Sequence, residues 1–404
     1  MTIKNEHNKI NVPNLRFPEF QGEWEKCKLG DVCSFFSGGT PSSSNKDFYG
    51  GNIPFIRSGE LHKEETELFI TQSGYEKSSA KMVEVGDLLL AMYGATSGDV
   101  AISKIKGAIN QAILCIRTKH NNKFIESVWN KHVSKILVKY LQGGQGNLSA
   151  DIVKRISFSF PSLAEQEKIS HLIQLIDKRI STQNKVIDKL QSLIKGMEDN
   201  LLDNPLWKKT YLRSFMQFFP TNSLSWEQLS YKEGAIRNLH YGLIHGFQTR
   251  GINSASLPMI KNEAVPKQYM LCQVGDVAFA DASEDTGEIA KSVEFVDTIE
   301  GDTICGLHTI HGRDIKNRTV VGFKGFAFNS RYFHNQIKRL AQGTKVFSIT
   351  ANNLSSCYVY LPDLDTQKAI VNLLKTYEAK LLVSKRLLEH YEKQKQYLLR
   401  QMFI

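Results

Sequence analysis

Few residues of this chain have the types and spacing that catalysis would need. Pro362 and Asp363, followed by Glu378 and Lys380, have the order of acidic and basic side chains found in many metal-dependent nucleases. That chemistry needs carboxylates that converge on one metal ion. Glu378 and Lys380 instead fall two positions apart on a predicted helix, where their side chains point about 200° apart. The sequence therefore argues against a nuclease.

The histidines and cysteines form no recognisable metal or redox motif. No two cysteines have C-x-x-C spacing, and the pairs His240/His245 and His308/His311 lie outside any Cys/His framework. The glycine-rich stretch 143–146 lacks the spacing of a dinucleotide-binding loop, and the sequence has neither a phosphate-binding loop nor an adenine-methyltransferase motif. We expect no catalytic residue, no metal and no cofactor in this chain, and reduced cysteines. The cysteines are Cys27, Cys33, Cys115, Cys272, Cys305 and Cys357.

The charge of the chain favours a polyanionic partner, although a merely basic soluble protein would have the same composition. The 404 residues carry 51 Lys and Arg against 41 Asp and Glu, which gives a formal net charge of +10 and a sequence pI near 9.1. The N-terminus is polar, and no apolar run approaches the roughly 18 residues of a membrane span. We expect a cytoplasmic protein of two or three domains.

The chain contains an internal repeat, and each half ends in a heptad pattern. The motif P-x-L-x-x-Q-x-x-I begins at Pro161 and again at Pro362, an offset of 201 residues. Apolar side chains then recur at alternating spacings of four and three residues, which is typical of a coiled-coil seam. Both stripes carry a polar residue at the same step, Gln183 and Ser384. They predict a long antiparallel helix pair, each helix about 55–60 Å long; the alternative is that each stripe packs on its own globule.

We call the predicted apolar positions of this helix pair the heptad seam. Its residues are Ile169, Ile173, Ile176, Ile180, Ile187, Leu190, Ile370, Leu374, Tyr377, Leu381, Leu388 and Tyr391.

The segments before the helices also repeat, but their offsets drift. The V-G-D motif at Val85 recurs at Val274, and Ile53–Arg57 matches Leu257–Lys261. The sequences between such blocks differ, so the framework is duplicated while the loops, where binding specificity usually resides, have diverged. Each half is predicted to be a mixed α/β globule with one helix, at 124–140 and Asn329–Ala341. The predicted strands are Ile53–Arg57, Asp87–Met92, Val100–Lys104, Ala112–Arg117, Ile156–Phe160, Val277–Ala280, Ile289–Glu294, Val320–Phe323 and Tyr358–Leu361.

Together these motifs resemble the specificity (S) subunits of type I restriction-modification systems. The resemblance rests on the W-x4-L opening, the loop at Gly38–Ser42, the V-G-D strand, the turn at Gly146–Ser149 and the repeated helix start, and it covers roughly residues 14–404. It implies an α/β (α+β) fold with two globular target-recognition domains separated by two long conserved helices in an antiparallel coiled coil, related by an internal pseudo-twofold repeat. The implied domains are an N-terminal segment (1–23), target-recognition domain 1 (24–160), spacer helix 1 (161–204), target-recognition domain 2 (205–361) and spacer helix 2 (362–404).

The resemblance also implies a function. Each target-recognition domain would read one half of a bipartite, asymmetric site on double-stranded DNA, and the helices would set the spacing of the half-sites. Two methyltransferase (M) subunits would dock on the conserved regions, and two restriction/translocase (R) subunits could join them. S-adenosylmethionine, ATP and Mg²⁺ would then belong to those partners, and this chain would be a non-catalytic subunit.

The side-chain types that contact DNA identify candidate DNA-contacting residues in the loops. Base edges are read by Arg, Lys, Asn and Gln with help from Ser and Thr, and phosphates are bound by Lys and Arg. The first globule offers Thr40, Ser42, Ser43, Asn45, Lys46, Arg57, Ser58, Tyr93, Ser97, Gln111, Gln145 and Asn147. The second globule offers Tyr241, His245, Gln248, Arg250, Lys261, Asn262, Ser283, His308, Arg331 and Lys345.

Two other interpretations remain open at this point. A coiled-coil scaffold that binds proteins and no DNA would show the same heptads, with its basic charge serving only solvation. An autonomous nuclease or methyltransferase would need turnover by the isolated chain, which the missing motifs argue against.

Overall fold

The computed structural model describes residues 11–141, 147–247, 250–297, 299 and 301–404. The chain separates into two compact units, Met1–Thr182 with Leu388–Ile404 and Gln183–Leu387. In the described parts, no helix is both long enough and apolar enough to cross a membrane.

The first unit contains the first globule. Its strands are β1 (Glu25–Lys28), β2 (Cys33–Ser37), β3 (Tyr49–Ile56), β4 (Phe69–Ile70), β5 (Lys81–Val83), β6 (Leu88–Ala91), β7 (Val100–Ile102), β8 (Gly107–Ile109), β9 (Ile113–Thr118) and β10 (Ser157–Phe160). Its helices are α1 (Leu29–Val32), α2 (Gln72–Glu76), α3 (Asn122–Leu141), α4 (Ala150–Arg155) and the first half of α5 (Leu163–Leu202).

Two four-stranded sheets form the body of this globule. Their strand orders are β2-β9-β6-β7 and β4-β3-β8-β5, and β1 pairs with β10 beside them. Strand β6 is buried on both faces: Leu88 and Leu90 belong to the core that contains α3, whereas Leu89 and Ala91 face the core between the sheets. Burial on both faces explains why β6 is a continuous apolar run instead of an alternating one.

The second unit contains the second globule. Its strands are β11 (Lys208–Tyr211), β12 (Met216–Phe219), β13 (Leu229–Ser230), β14 (Arg237–Leu239), β15 (Gly251–Ile252), β16 (Met259–Ile260), β17 (Val277–Ala280), β18 (Ala282–Ser283), β19 (Ser292–Phe295), β20 (Thr303–Cys305), β21 (Thr309–Asp314), β22 (Phe347–Ser348) and β23 (Tyr358–Leu361). Its helices are α6 (Tyr241–Gly246), α7 (Phe323–Ala327), α8 (Arg331–Leu340), α9 (Ala351–Ser356) and part of α10 (Leu364–Met402), together with the second half of α5.

The second globule repeats the sheet plan of the first. Its larger sheet has the order β12-β21-β17-β19-β15, and its smaller sheet has the order β13-β16-β14-β20. The central strand β17 pairs with β21 as β6 pairs with β9, and β14 runs parallel to β20 as β3 runs parallel to β8. The pairs β1/β10 and β11/β23 also correspond. The register therefore relates individual positions of the two globules.

The prediction of a strand at Val320–Phe323 was wrong. Helix α7 begins at Phe323, after Gly322 in the left-handed conformation (φ 96°), so the apolar run there forms a turn and a buried helix. The partner of β17 is instead β21, at Thr309–Asp314. The four buried residues of β21 are Thr, Ile, His and Gly. They form neither an apolar run nor an alternation of apolar and polar residues, so the sequence does not indicate a strand here.

The alignment of Ile53–Arg57 with Leu257–Lys261 was also wrong. Strand β3 pairs with β8 in parallel, and the strand that pairs in this way with β20 is β14, not β16. Strand β16 runs antiparallel to β14. The two parallel registers make Leu239 of the second globule equivalent to Ile56 of the first. The short apolar motif shared by Ile53–Arg57 and Leu257–Lys261 therefore does not mark equivalent positions in the sheets.

The antiparallel helix pair predicted from the heptads is confirmed. Gln183 donates from Nε2 to the Ser384 carbonyl at 3.0 Å, so the two polar seam positions meet. Towards the start of α5, Lys395 Nζ lies 2.7 Å from Asp177 Oδ1. This ion pair explains why a lysine stands at a seam position where the first helix has Ile194. Each seam residue of the prediction is buried or half-buried.

The repeated helix start has a structural reason. Gln166 is buried, donates from Nε2 to the Pro161 carbonyl at 2.9 Å and accepts the backbone N–H of Asn121. Gln367 donates in the same way to the Pro362 carbonyl and accepts the N–H of Val320. The glutamine of each motif thus satisfies buried backbone groups where a long helix leaves its globule.

Candidate nucleic-acid interface

An ion pair at the start of the central strand organises each globule. In the first, Arg117 Nε and an Nη atom donate to the two carboxylate oxygens of Asp87 at 3.0 and 2.7 Å. In the second, Arg313 binds Asp276 in the same bidentate way at 2.8 and 2.7 Å. These residues are the V-G-D aspartates and the arginines that the β6/β9 and β17/β21 registers place opposite them.

Burial opposes ionisation of both aspartates, but hydrogen bonds from the arginines outweigh it. The pKa of Asp87 and that of Asp276 are therefore lowered. Arg117 lies over the ring of Phe36 and Arg313 over the ring of Phe219, 5.0 and 5.1 Å from the ring centroids. This repeated arrangement fixes the large sheet, and with it the loops at its far end.

We call that far end, where β2 and β6 end and β9 begins, the loop edge of the first globule. Ser37 pairs with Leu114 and Ala91 with Ile113, so the loops that follow β2 and β6 and precede β9 emerge together. Thr40 Oγ1 donates to Gln111 Oε1 across this edge. The backbone N–H of Leu148 bonds to the Met92 carbonyl at 2.9 Å and brings in the neighbouring turn.

Most predicted DNA-contacting residues of the first globule lie along this edge. Thr40, Tyr93 and Gln111 are exposed there, Asn147 adjoins Leu148, and Ser97 donates to the Met92 carbonyl. Ser42, Ser43, Asn45 and Lys46 continue the loop after Thr40, and Arg57 and Ser58 follow β3, whose Ile56 carbonyl accepts the Asn110 N–H. Gln145 lies outside the described residues.

Arg57 already has partners within the globule. It bonds to Glu60 at 3.1 and 3.2 Å and to Glu67 at 2.8 Å. Burial opposes ionisation of Glu60, yet the Arg57 hydrogen bonds lower the pKa of this carboxyl to about 2. The guanidinium is therefore held in a fixed direction at the loop edge, with part of its charge neutralised.

The loop edge of the second globule, where β12 and β17 end and β21 begins, carries an aromatic cluster. The His240 ring lies 4.4 Å from Trp226 and 4.8 Å from Tyr241, and Tyr241 meets His308 edge-on at 5.2 Å. His308 Nδ1 lies 3.1 Å from Asp281 Oδ1. Burial lowers the pKa of His240, whereas burial raises the pKa of Asp281. This edge thus presents the rings of Trp226, Tyr241 and His308 around a buried His240, whereas the other presents mainly amides and hydroxyls beside Tyr93.

The predicted residues of the second globule are more scattered than those of the first. Tyr241, His245 and His308 belong to or adjoin the aromatic cluster. Ser283 in β18 pairs with Phe347, near the loop that carries the exposed Lys345. Gln248 lies outside the described residues.

Four predicted residues lie away from the second loop edge. Lys261 and Asn262 follow β16, which runs antiparallel to β14, so they lie at the opposite end of the small sheet. Arg250 and Arg331 line a cleft beside α5 and α10. Arg250 binds Glu198 at 3.1 Å and Glu378 at 3.3 Å, so Glu378 takes part in an ion pair.

Trp226 and His240 also belong to this edge, and neither was predicted from the sequence. By the parallel register of β14 with β20, Leu239 stands where β3 has Ile56, so His240 takes the place of Arg57. Trp226 is 45% exposed, which is unusual for the largest apolar side chain. An isolated tryptophan in a poorly matching stretch gives no local signal, since only the strand pairing brings it to His240.

Comparisons with known proteins agree with this architecture. Residues 21–192 match the family model described as type I restriction modification DNA specificity domain. The type I restriction enzyme MjaVIII specificity subunit of Methanocaldococcus jannaschii is 24% identical over 98% of this chain and 95% of its own length. The EcoR124I/EcoR124II specificity subunit of Escherichia coli is 26% identical over 46% of this chain and 48% of its own length.

Solved structures share the fold. The crystal structure of the type I restriction-modification S subunit from M. genitalium superimposes with a TM-score of 0.61 at 13% identity, over 97% of this chain and 99% of that one. A chain from a structure of type I system assembly and conformational transition gives a TM-score of 0.56 at 13% identity, over 93% and 96% of the two chains. With the duplicated globules and the helix pair, these matches show that the chain has the fold of type I restriction-modification specificity (S) subunits, that it is similar to them along its length, and that residues 21–192 match their DNA specificity domain.

Proposed function

We propose that this chain is the sequence-specific DNA-binding specificity subunit of a type I restriction-modification complex. Each globule would read one half of a bipartite, asymmetric site and perform no chemistry of its own. The observation that carries the proposal is the pair of loop edges: the same framework ends in different polar and aromatic side chains. Two equivalent readers with different side chains would recognise different half-sites.

The side chains at the two edges suit different contacts with a duplex. Thr40 and Gln111 offer hydrogen-bond donors and acceptors of the kind that read base edges in the major groove. Tyr241 and His308 offer hydrogen-bonding rings. The net charge of +10 would supply phosphate contacts and make binding salt-dependent.

The helix pair would set the distance between the half-sites and provide docking surfaces for two methyltransferase subunits. Two restriction/translocase subunits could join them. S-adenosylmethionine, ATP and Mg²⁺ would be bound by those partners, and the complex would act on chromosomal DNA in the cytoplasm. The chain itself would contribute recognition and geometry only.

Substitutions at the loop edges test the assignment of half-sites. The chain would be expressed with its methyltransferase partner, and methylated adenines would be mapped across the genome. Gln111→Ala should relax one half-site and His308→Ala the other, each costing about 1–3 kcal/mol of discrimination at the bases concerned.

Two lysines at the opposite ends of strands serve as matched controls. Lys106 precedes β8 and Lys261 follows β16, and Lys106→Ala and Lys261→Ala should leave both half-sites unchanged. Relaxation of both half-sites by a single edge substitution would contradict one reader per globule.

Lengthening the helix pair tests the spacer role. One heptad added to α5 beside Gln183 and one to α10 beside Ser384 keeps the seam in register and extends the pair by about 10 Å, or roughly three base pairs. The mapped half-sites should keep their sequences and move apart. A functional complex with unchanged spacing would disprove the spacer role.

A protein scaffold that binds no DNA is the competing function. For a DNA reader, the affinity of the assembled complex for its mapped site should fall by about 10³–10⁵ between 50 and 200 mM salt. Footprinting of that complex should protect two separate segments. A footprint that is absent, or independent of this chain, would favour the scaffold.

A further inference from the structure

Three ligating side chains far apart in sequence converge in the interior of the second globule. One potential ligand atom each of Cys272, Cys305 and His311 lies within 4.8 Å of the others, and all three residues are buried. The two Sγ atoms are 3.6 Å apart. The bridge between Leu271 and Ile304 brings the cysteines to neighbouring positions on one face of the small sheet, and His311 reaches them from β21 of the large sheet.

The hydrogen bonds of His311 leave one ring nitrogen suited to a metal. Nε2 lies 2.7 Å from Asp276 Oδ2, so the ring proton belongs on Nε2 and Nδ1 keeps its lone pair. Nδ1 is fully buried and has no hydrogen-bond partner among the described residues. An unpaired buried acceptor costs about 1–3 kcal/mol. A carboxylate behind the second nitrogen is the usual support of a metal-binding histidine.

In the first globule, the positions equivalent to these three ligands belong to an apolar core. The registers of β5 with β8 and of β6 with β9 put Val83, Ile109 and Cys115 where the second globule has Cys272, Cys305 and His311. Val83, Ile109 and Cys115 belong to one apolar core. The fold therefore does not require ligating side chains here, and the second globule differs at all three positions together.

We propose that the second globule binds one zinc ion through Cys272, Cys305 and His311. Thiolate and imidazole ligands suit a soft or borderline cation such as Zn²⁺. Two zinc–sulfur bonds would form as two S–H bonds break, with the protons released to solvent, and a water molecule would take the fourth position. Such an ion would join the two sheets behind the Asp276–Arg313 ion pair and satisfy the His311 ring.

Metal content of the intact chain tests the proposal. The full chain would be purified without a polyhistidine tag, kept reduced, equilibrated with Zn²⁺ and desalted. Mass spectrometry should then find about one zinc per chain. Replacing Zn²⁺ by Co²⁺ should give thiolate-to-cobalt charge-transfer absorption in the near ultraviolet. Cys272→Ser and Cys305→Ser should each lose the metal and that absorption.

Two buried thiols outside the cluster provide the controls. Cys115→Ser alters the position equivalent to His311 in the first globule, and Cys357→Ser removes another buried thiol of the second unit. Both variants should keep the full zinc content. His311→Cys retains a ligand and should still bind Co²⁺ with stronger charge-transfer absorption, which decides the question if a serine variant fails to fold.

Three results would overturn the assignment. The reduced wild-type chain could take up neither Zn²⁺ nor Co²⁺, or Cys115→Ser could lose as much metal as Cys272→Ser. Peptide mapping could instead reveal a disulfide between Cys272 and Cys305 in a chain that binds no metal after reduction. In the expected case, a chelator lowers the melting temperature of the wild type and not that of the Cys272→Ser variant.

Discussion

The two globules share an ion pair but differ in what lies behind it. In the first, Asp87 and Arg117 stand in front of an apolar core with a single thiol, Cys115. In the second, Asp276 and Arg313 stand in front of two cysteines and a histidine. The same strand register thus tolerates different interiors and different loop edges. The repeated framework fixes where side chains lie and leaves open which side chains they are.

The two ends of the helix pair differ in charge in a related way. Asp177 and Glu378 are equivalent positions, 201 residues apart. Asp177 lies 2.7 Å from Lys123, which also pairs with Glu126, and 2.7 Å from Lys395, so two acids have two bases. Glu378 shares Arg250 with Glu198, so two acids have one base. Equivalent backbone positions therefore have different electrostatic surroundings, one with balanced charges and one with an excess of acid.

The largest expected effect tests the feature that the two halves share. Ile173 and Leu374 are equivalent seam residues, and both are fully buried. Ile173→Ala and Leu374→Ala should each lower the free energy of unfolding by about 2–5 kcal/mol, because each leaves a cavity in a core. Denaturant unfolding measures the loss. The exposed helix residues Leu175 and Leu373 are the controls, and an equally large loss for Leu175→Ala or Leu373→Ala would contradict the seam.

The Asp–Arg ion pairs should differ in strength between the globules. Asp276 is 1% exposed and also binds His311, whereas the Asp87 side chain is 13% exposed. Asp276→Asn should cost about 2–4 kcal/mol and Asp87→Asn about 1–2 kcal/mol, because the arginine left behind is more deeply buried in the second globule. Chemical unfolding at neutral pH compares the two variants.

The pH dependence of both variants has a definite sign. The folded pKa of each aspartate is depressed, so its stabilisation is present above the unfolded pKa and is lost as pH falls through the folded value. Each asparagine variant should therefore approach the wild type in acid. A gap that stays constant down to strongly acidic pH would show that the cost is steric instead of electrostatic.

The different charge balances should give opposite pH responses of smaller size, because the pKa of Asp177 is lowered and that of Glu378 is raised. Asp177→Asn should cost about 1–2 kcal/mol at neutral pH, because it leaves Lys395 without this acid and Lys123 with Glu126 alone. Glu378→Gln should change stability by less than about 1 kcal/mol or increase it, because it removes a buried charge beside Glu198. Melting curves from acid to neutral pH measure both.

The sign of each response follows from the shifted pKa values. Burial opposes ionisation of Asp177, but the two lysines outweigh it and lower its pKa, so its contribution is lost as pH falls. Burial raises the pKa of Glu198 and of Glu378, so their ionisation destabilises the fold as pH rises above the unfolded value. Parallel pH profiles for Asp177→Asn and Glu378→Gln would contradict this contrast.

The smallest expected effect concerns Gln183 and Ser384, the two polar residues that interrupt the apolar stripes of the helix pair. Gln183→Leu should raise the free energy of unfolding by about 0.5–1 kcal/mol, because an apolar residue replaces a half-buried amide. Ser384→Ala should change it by less than about 0.5 kcal/mol, since Gln183 bonds to the backbone carbonyl of Ser384. Calorimetry of the two variants separates these outcomes, and a large loss for Ser384→Ala would point to a role of its hydroxyl.

Local patterns predicted the elements whose burial follows a simple period. The strands at Val277–Ala280 and Tyr358–Leu361 have the predicted bounds. Helix α10 extends through the whole predicted heptad stripe. Strand β21 was missed because its buried residues include threonine, histidine and glycine, whose burial depends on neighbours contributed by other strands.

The candidate DNA-contacting residues also divide into those that local sequence could predict and those that depend on strand pairing. In the first globule, the polar loop residues could be listed from their types, and most of them emerge at one edge. In the second globule, the short motif shared by Ile53–Arg57 and Leu257–Lys261 suggested a wrong equivalence, because a motif of four or five residues carries no information on which strand it will pair with.

By itself, the sequence determined the duplication, the long helix pair and the resemblance to specificity subunits, because a heptad stripe and a repeated motif are properties of neighbouring residues along the chain. Only the tertiary structure decided which strands lie side by side, which residues share a loop edge, and that Cys272, Cys305 and His311 meet. Those outcomes depend on pairing and register between segments distant in sequence, where a shift of one residue turns every side chain to the other face.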